Sequence, residues 1–207
     1  MRTGLVLHKS AAVCFLLCAA MVAFGCVGAG TNLAGDPLEQ PEFLTPVAEA
    51  RELGLMPYWL GREFPAGSLI FEISGVAQLI DFRGVELRLV LEYSGFDEGS
   101  RSAGVLFVST YPNDGKSANV VRERALRVQG STSREVRVGS WTGELLSVPS
   151  PSRPVNVLEL FVDTGRAIVA GLTGASNVGV PDKQGNPLFD EDVLIEVMAE
   201  HLRPYPE

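Results

Sequence analysis

Cysteine disappears from this chain after position 26; Cys14, Cys18 and Cys26 are all it has. An internal disulfide framework is thereby excluded for everything downstream. Histidine is almost as scarce, with His8 and His201 alone. Nucleophile activation by histidine and the usual zinc ligand sets therefore have little to draw on. No acidic residue precedes Asp36, and Arg2 and Lys9 are the only charges before it. Beyond residue 35 no uncharged run approaches the ~20 apolar residues that a membrane-spanning helix needs. A dominant basic charge is also missing. With Arg2 and Lys9 removed, the 17 basic residues fall to 15 against 25 acidic ones, a formal charge of −10. Such a body lacks the cationic footprint that binds phosphate backbones, so no nucleic-acid partner is expected.

What is present begins with the leader. Ala11 to Gly25 is apolar throughout and follows a short basic segment, the layout of a secretory signal. It ends in Val22-Ala23-Phe24-Gly25-Cys26, where a small residue directly precedes a cysteine. Cys14 and Cys18 follow Val13 and Leu17 and lack that feature. The pentapeptide resembles the lipobox of bacterial lipoproteins. That resemblance implies cleavage before Cys26 and acylation of its sulfur, with palmitate-type chains holding the protein on the extracytoplasmic side of the cell or outer membrane. Stable anchoring takes more than one hydrophobic signal, which a diacylglyceryl group supplies. A lone exported thiol is a liability in an oxidising compartment, and lipidation would cap it. Two alternatives remain: an ordinary peptidase cut near Gly28-Ala29-Gly30, and retention of residues 10–30 as a transmembrane anchor.

The expected layout is a signal peptide over 1–25, a lipidated cysteine and flexible tether over 26–45, and a single extracytoplasmic domain over 46–207. Gly, Pro and the lack of periodicity mark the tether. Pro149-Ser-Pro-Ser-Arg-Pro154 is the only internal boundary in view, and it is short enough to be a loop.

Within the body, Thr45 and Pro46 read as an N-cap and first helical residue, with Gly54 as the stop. Leu55-Met-Pro-Tyr-Trp-Leu60 reads as an extended entry into the core, and Leu69 to Ile73 as a strand. Val85 to Tyr93 alternates strictly, with Val85, Leu87, Leu89, Leu91 and Tyr93 opposite Glu86, Arg88 and Glu92. That period of two predicts one buried and one wet face, hence an antiparallel sheet. Val105 to Tyr111 is another strand, and Ser117 to Val128 a helix with Ala118, Val121, Ala125 and Val128 on one face. Glu135–Val138 and Glu144–Val148 form a pair around Gly139-Ser-Trp-Thr-Gly143. Asp163-Thr-Gly-Arg166 joins two strands as a hairpin. The loop from Thr173 to Leu188 is long enough to be functional. A last helix is capped by Asp190, stapled by Phe189 and Leu194, and ended by Pro204. The fold class is α+β: a mostly antiparallel sheet packed with a few helices, including a C-terminal one, in a two-layer arrangement.

From Arg134 to Tyr205 the order of glycine-rich turn, strand, hairpin and a helix ending in Leu202-Arg-Pro-Tyr205 resembles the extracytoplasmic α+β domains of lipoprotein-sorting and anti-sigma-factor-associated proteins. The resemblance implies a non-enzymatic binding or sensing role.

Catalytic motifs fail at identifiable positions. Trp141 stands where a nucleophile elbow would carry serine, and Thr110 where a phosphate-binding loop would begin with glycine. Asp182, Asp190 and Asp192 offer calcium-type oxygens, but the spacing suits a polar turn and helix cap better. No cofactor or metal is expected. Tyr58, Trp59 and Phe64 make the densest aromatic cluster, read chiefly as a core anchor. The leading expectation is a non-enzymatic binding or interaction domain whose partner is an unidentified envelope protein or a small apolar ligand. An apolar-ligand or lipid carrier would show a cavity near Tyr58, Trp59 and Phe107. A carboxylate- or calcium-dependent hydrolase at the 173–190 loop is the third reading.

Overall fold

The computed structural model describes residues 36–82, 84–97, 102–150, 156–173 and 189–206. Cys26 and the 174–188 loop, with its Asp182, lie outside the described residues. The described chain belongs to one compact unit, Gly35–Glu207.

Helix α1 spans Pro41–Glu52, preceded by a 3-10 turn over Pro37–Glu39. It begins five residues before the Thr45-Pro46 start that the sequence suggests. Pro41 takes the first-turn position where no N–H is missed, and Pro46 is carried inside the helix. The helix tolerates Pro46 because Phe43, Val47 and Ala50, spaced for one face, are buried in the main core. Leu38 is buried as well. Residues 36–45 of the expected tether therefore fold with the domain, and 26–35 lie outside the described residues. Gly54, with φ of 79°, stops the helix as expected.

Among the described residues ten strands follow: β1 (Tyr58–Trp59), β2 (Glu63–Ala66), β3 (Leu69–Phe82), β4 (Glu86–Phe96), β5 (Ser102–Tyr111), β6 (Thr132–Val138), β7 (Trp141–Pro149), β8 (Asn156–Asp163), β9 (Ile168–Thr173) and β10 (Arg203–Pro204). Helix α2 (Lys116–Leu126) lies between β5 and β6, and α3 (Glu191–His201) precedes β10. Eight strands form one antiparallel sheet in the order β2-β3-β4-β5-β9-β8-β7-β6, and β1 pairs with β10. Two four-stranded meanders thus meet at β5 and β9, with α2 carrying the chain from the middle of the sheet to its far edge.

Helix α3 packs against both β2 and β6, the two edge strands. In a flat sheet these would stand ~34 Å apart, seven spacings of ~4.8 Å, against a helix ~10 Å wide. The sheet is therefore curled around α3. Asp190 caps α3, its Oδ1 accepting from Val193 N at 3.0 Å. Leu194, Val197 and Met198 fill the concave side with α1.

Alternation assigns the faces. Leu89, Leu91 and Tyr93 on β4, Leu106 and Val108 on β5, and Leu158, Leu160 and Val162 on β8 all point into the concave core. The opposite, convex face carries a second cluster of Tyr111, Ala118, Leu146, Phe161 and Ala170, lidded by α2. Helices thus cover both faces, and the expected two-layer arrangement is in fact three-layered. The face of β4 expected to be wet is partly covered: Glu86 is 5% exposed, while Val85, assigned to the buried face, is 52% exposed.

Candidate functional site

The site is built by α2. Gly115, at φ of 69°, turns the chain sharply into the helix. Ser117 Oγ then accepts Leu87 N at 3.0 Å, tying the first turn to β4. Ala118, Val121 and Ala125 lie on the apolar convex cluster. Two arginines clamp the flanks: Arg122 to Glu144 on β7 at 2.7 Å, and Arg124 to Glu86 on β4 at 3.2 Å.

On the Arg122 side, α2 and β6–β8 leave an open cleft of about 490 Å³. Asn119 and Arg122 stand on its wall, Phe161 and Ile168 give it apolar surface, and Glu135, Glu144 and Asp163 supply carboxylates. Glu135 and Glu144 are paired directly in register across β6 and β7. Like charges so placed repel, and Arg122 neutralises only Glu144 directly.

On the Arg124 side lies a buried charge network. Arg88 donates from Nη1 to the Tyr111 hydroxyl at 3.2 Å. Its Nε is 3.1 Å from Glu86 Oε1 but off the hydrogen-bond direction, and has no other partner. Burial pushes the Tyr111 phenol up to about 12, with Arg88 opposing. Glu159 belongs to the same convex face, between Leu146 and Leu172 in the register. Burial pushes its carboxyl up to about 7; Arg88 lowers it and Glu86 raises it further. Glu92 shares that row with Phe107, Leu172 and Glu159, and burial raises its carboxyl also. Neither Glu159 nor Glu92 lines the cleft; the raised Glu159 carboxyl belongs to the charge network of Arg88 and Glu86.

The three residues expected to line a ligand cavity are not brought together. Tyr58 and Trp59 are buried on the concave side, where Tyr58 N donates to Thr110 Oγ1 at 3.1 Å. The Trp59 ring meets Tyr205 edge-on at 4.9 Å, with the Arg203 guanidinium 5.6 Å from its centre. Phe107 sits between Leu106 and Val108 and so faces the convex side. The period of two puts the sheet itself between them. Concave space near the pair is taken by the protein's own side chains: Phe64 stacks on Phe71 at 5.6 Å, and Phe71 meets Phe189 at 5.6 Å.

His201 packs against Phe64, ring centres 5.3 Å apart, on the concave side away from the cleft. Asp190 has one oxygen committed to its helix cap. Among the described residues no group of three or more His, Cys, Asp or Glu is placed to hold a metal ion. No described helix is long and apolar enough to cross a membrane.

Periodicity alone misses α2 as a lid, because the helix and the strands it covers are far apart in the chain. Glu159 did leave a signal: it is the one acid inside the apolar run Val157 to Val162. Compared with protein-family models, curated proteins and solved structures, the chain matches none.

Proposed function

We propose that the protein is a membrane-anchored extracytoplasmic lipoprotein whose folded head is a binding module, with the α2 cleft as its binding site. The observation that carries the binding role is the cleft itself. It sets hydrogen-bond donors (Asn119, Arg122) and carboxylates (Glu135, Asp163) around an apolar surface of Phe161 and Ile168. Ligand sites are concave in this way, with a few polar groups fixing orientation. The described lining pairs no nucleophile with a histidine base, and the mature chain's histidine lies on the other face. The anchoring half rests on Val22-Ala23-Phe24-Gly25-Cys26 behind its basic, then apolar, leader.

Two measurements test the two halves. Lipid labelling and membrane fractionation should find the native protein acylated and cleaved, and Cys26→Ala unlabelled and full-length. If both stay unlabelled and membrane-bound at full length, the leader is a spanning anchor instead. For the head, a photoreactive residue at Asn119 should give an adduct in intact envelopes, whereas one at exposed Leu53 should not. Equal labelling at the two positions would remove the cleft as the site.

A further inference from the structure

The cleft opens onto an unusual sheet edge. β6 pairs only with β7 among the described residues, so one side of its backbone has no strand partner. The other edge, β2, is four residues long and contains Pro65, which has no N–H to offer. β6 is seven residues long and free of proline. Val136 and Val138 turn into the concave core, while Thr132, Ser133, Arg134, Glu135 and Arg137 are exposed. Exposed edges of this kind invite strand addition unless blunted.

The charges along this edge are mostly committed. Arg134 pairs with Glu191 on α3 at 2.7 Å. Arg137 turns its Nε to Gly139 O at 2.9 Å. Asp163 accepts Gly165 N at 2.8 Å. Arg122 is held by Glu144. Glu135 is left with no ion pair among the described residues, directly opposite Glu144 at the cleft floor. A cation placed over these two carboxylates would relieve their repulsion, and Phe161 and Ile168 would take its apolar stem.

We propose that β6 is a docking edge: an extended segment of a partner protein adds to it as a further antiparallel or parallel strand and delivers a lysine or arginine side chain into the cleft over Glu135 and Glu144. This rests on the α2 cleft being the binding site. Main-chain pairing supplies affinity in such strand addition, and the pocket beside it selects the side chain. Alternation along the added strand brings every second side chain to the convex face, beside Ser133, Glu135 and Arg137.

The test uses the full chain in detergent micelles and three fluorescent octapeptides: alternating Lys-Thr, alternating Glu-Thr, and Lys-Thr with alternate backbone amides N-methylated. Fluorescence anisotropy should show saturable binding of the first. Binding of the other two should be weaker by about tenfold or more, since one loses the charge match and the other the main-chain bonds. Glu135→Gln should weaken Lys-Thr binding several-fold, while Glu52→Gln on α1, an equal charge change far from the edge, should not. Equal binding of the N-methylated peptide, no loss in Glu135→Gln, or no saturable binding of Lys-Thr would each overturn the inference. The photoreactive residue at Asn119 separates the two levels. An adduct of lipid or polysaccharide mass overturns strand addition and leaves the cleft as a binding site; no adduct at all removes both.

Discussion

Glu159→Gln gives the sharpest test of the convex-face electrostatics. Glu159 is 6% exposed, and burial lifts its carboxyl from 4.5 to about 7. Between those values the folded protein keeps a proton that the unfolded chain has released. Stability therefore falls as pH rises through that window, and the loss is complete above about 7. At ~1.4 kcal/mol per pKa unit the loss is on the order of 3 kcal/mol. Glutamine has the shape of the protonated acid and cannot ionise. At pH 5 the variant should lie within ~1 kcal/mol of the native protein. At pH 8 it should be more stable by roughly 2–3 kcal/mol, raising Tm by about 5–10 °C for a domain of this size. Urea unfolding at several pH values, followed by the fluorescence of Trp59 and Trp141, reads the difference directly. Glu92 is raised in the same direction but is common to both proteins and cancels. Parallel stability curves would refute the reasoning. So would a variant less stable at pH 8, because Glu159 would then be ionised and held favourably by Arg88.

Three further outcomes are expected. Tyr93→Phe removes the hydroxyl that accepts Leu60 N at 2.9 Å; a buried N–H left unpaired costs about 1–3 kcal/mol, and an unchanged urea midpoint would show that this bond contributes nothing net. Gly95→Ala would place a Cβ 2.7 Å from the Phe71 ring. Overpacking of this kind costs about 1–3 kcal/mol, and Phe71→Leu in the same chain should recover part of it by calorimetry. Asp190→Ala removes the α3 cap and should cost ~1 kcal/mol, with Asp190→Asn close to native; helix loss by circular dichroism without any midpoint shift would contradict the cap.

Much of the local structure was legible in the sequence. The strand around Leu89, Leu91 and Tyr93 follows from a period of two, and the hairpin at Gly165 from the need for a positive φ of 76°. Asp190, Phe189 and Leu194 announced the last helix through a cap and a staple. α1 was less legible: a chain read by local rules starts a helix at Pro46 rather than carrying it inside one. Burial of Phe43 and Val47 overrides that rule, because α1 packs on β3 and the Phe43 ring meets Tyr205, both outside any local window. Alternation alone makes Glu86 and Arg88 solvated, because nothing near them in the chain reveals that α2 returns to cover them. Residue type alone groups Tyr58, Trp59 and Phe107, whereas side-chain parity on β5 places Phe107 on the other side of the sheet. Of the cleft, Glu135 and Glu144 were visible only as strand ends.

Local patterning suffices for the alternation, the caps and the turns, and composition for the acidic balance. Long-range packing sets the return of β9 beside β5, the curl of the sheet around α3, and the clamp of α2 on the convex face through Arg122 and Arg124. Those outcomes rest on contacts between residues tens of positions apart, where one-face periodicity says that a surface must be covered but not by which element. The cleft exists only where those long-range choices meet.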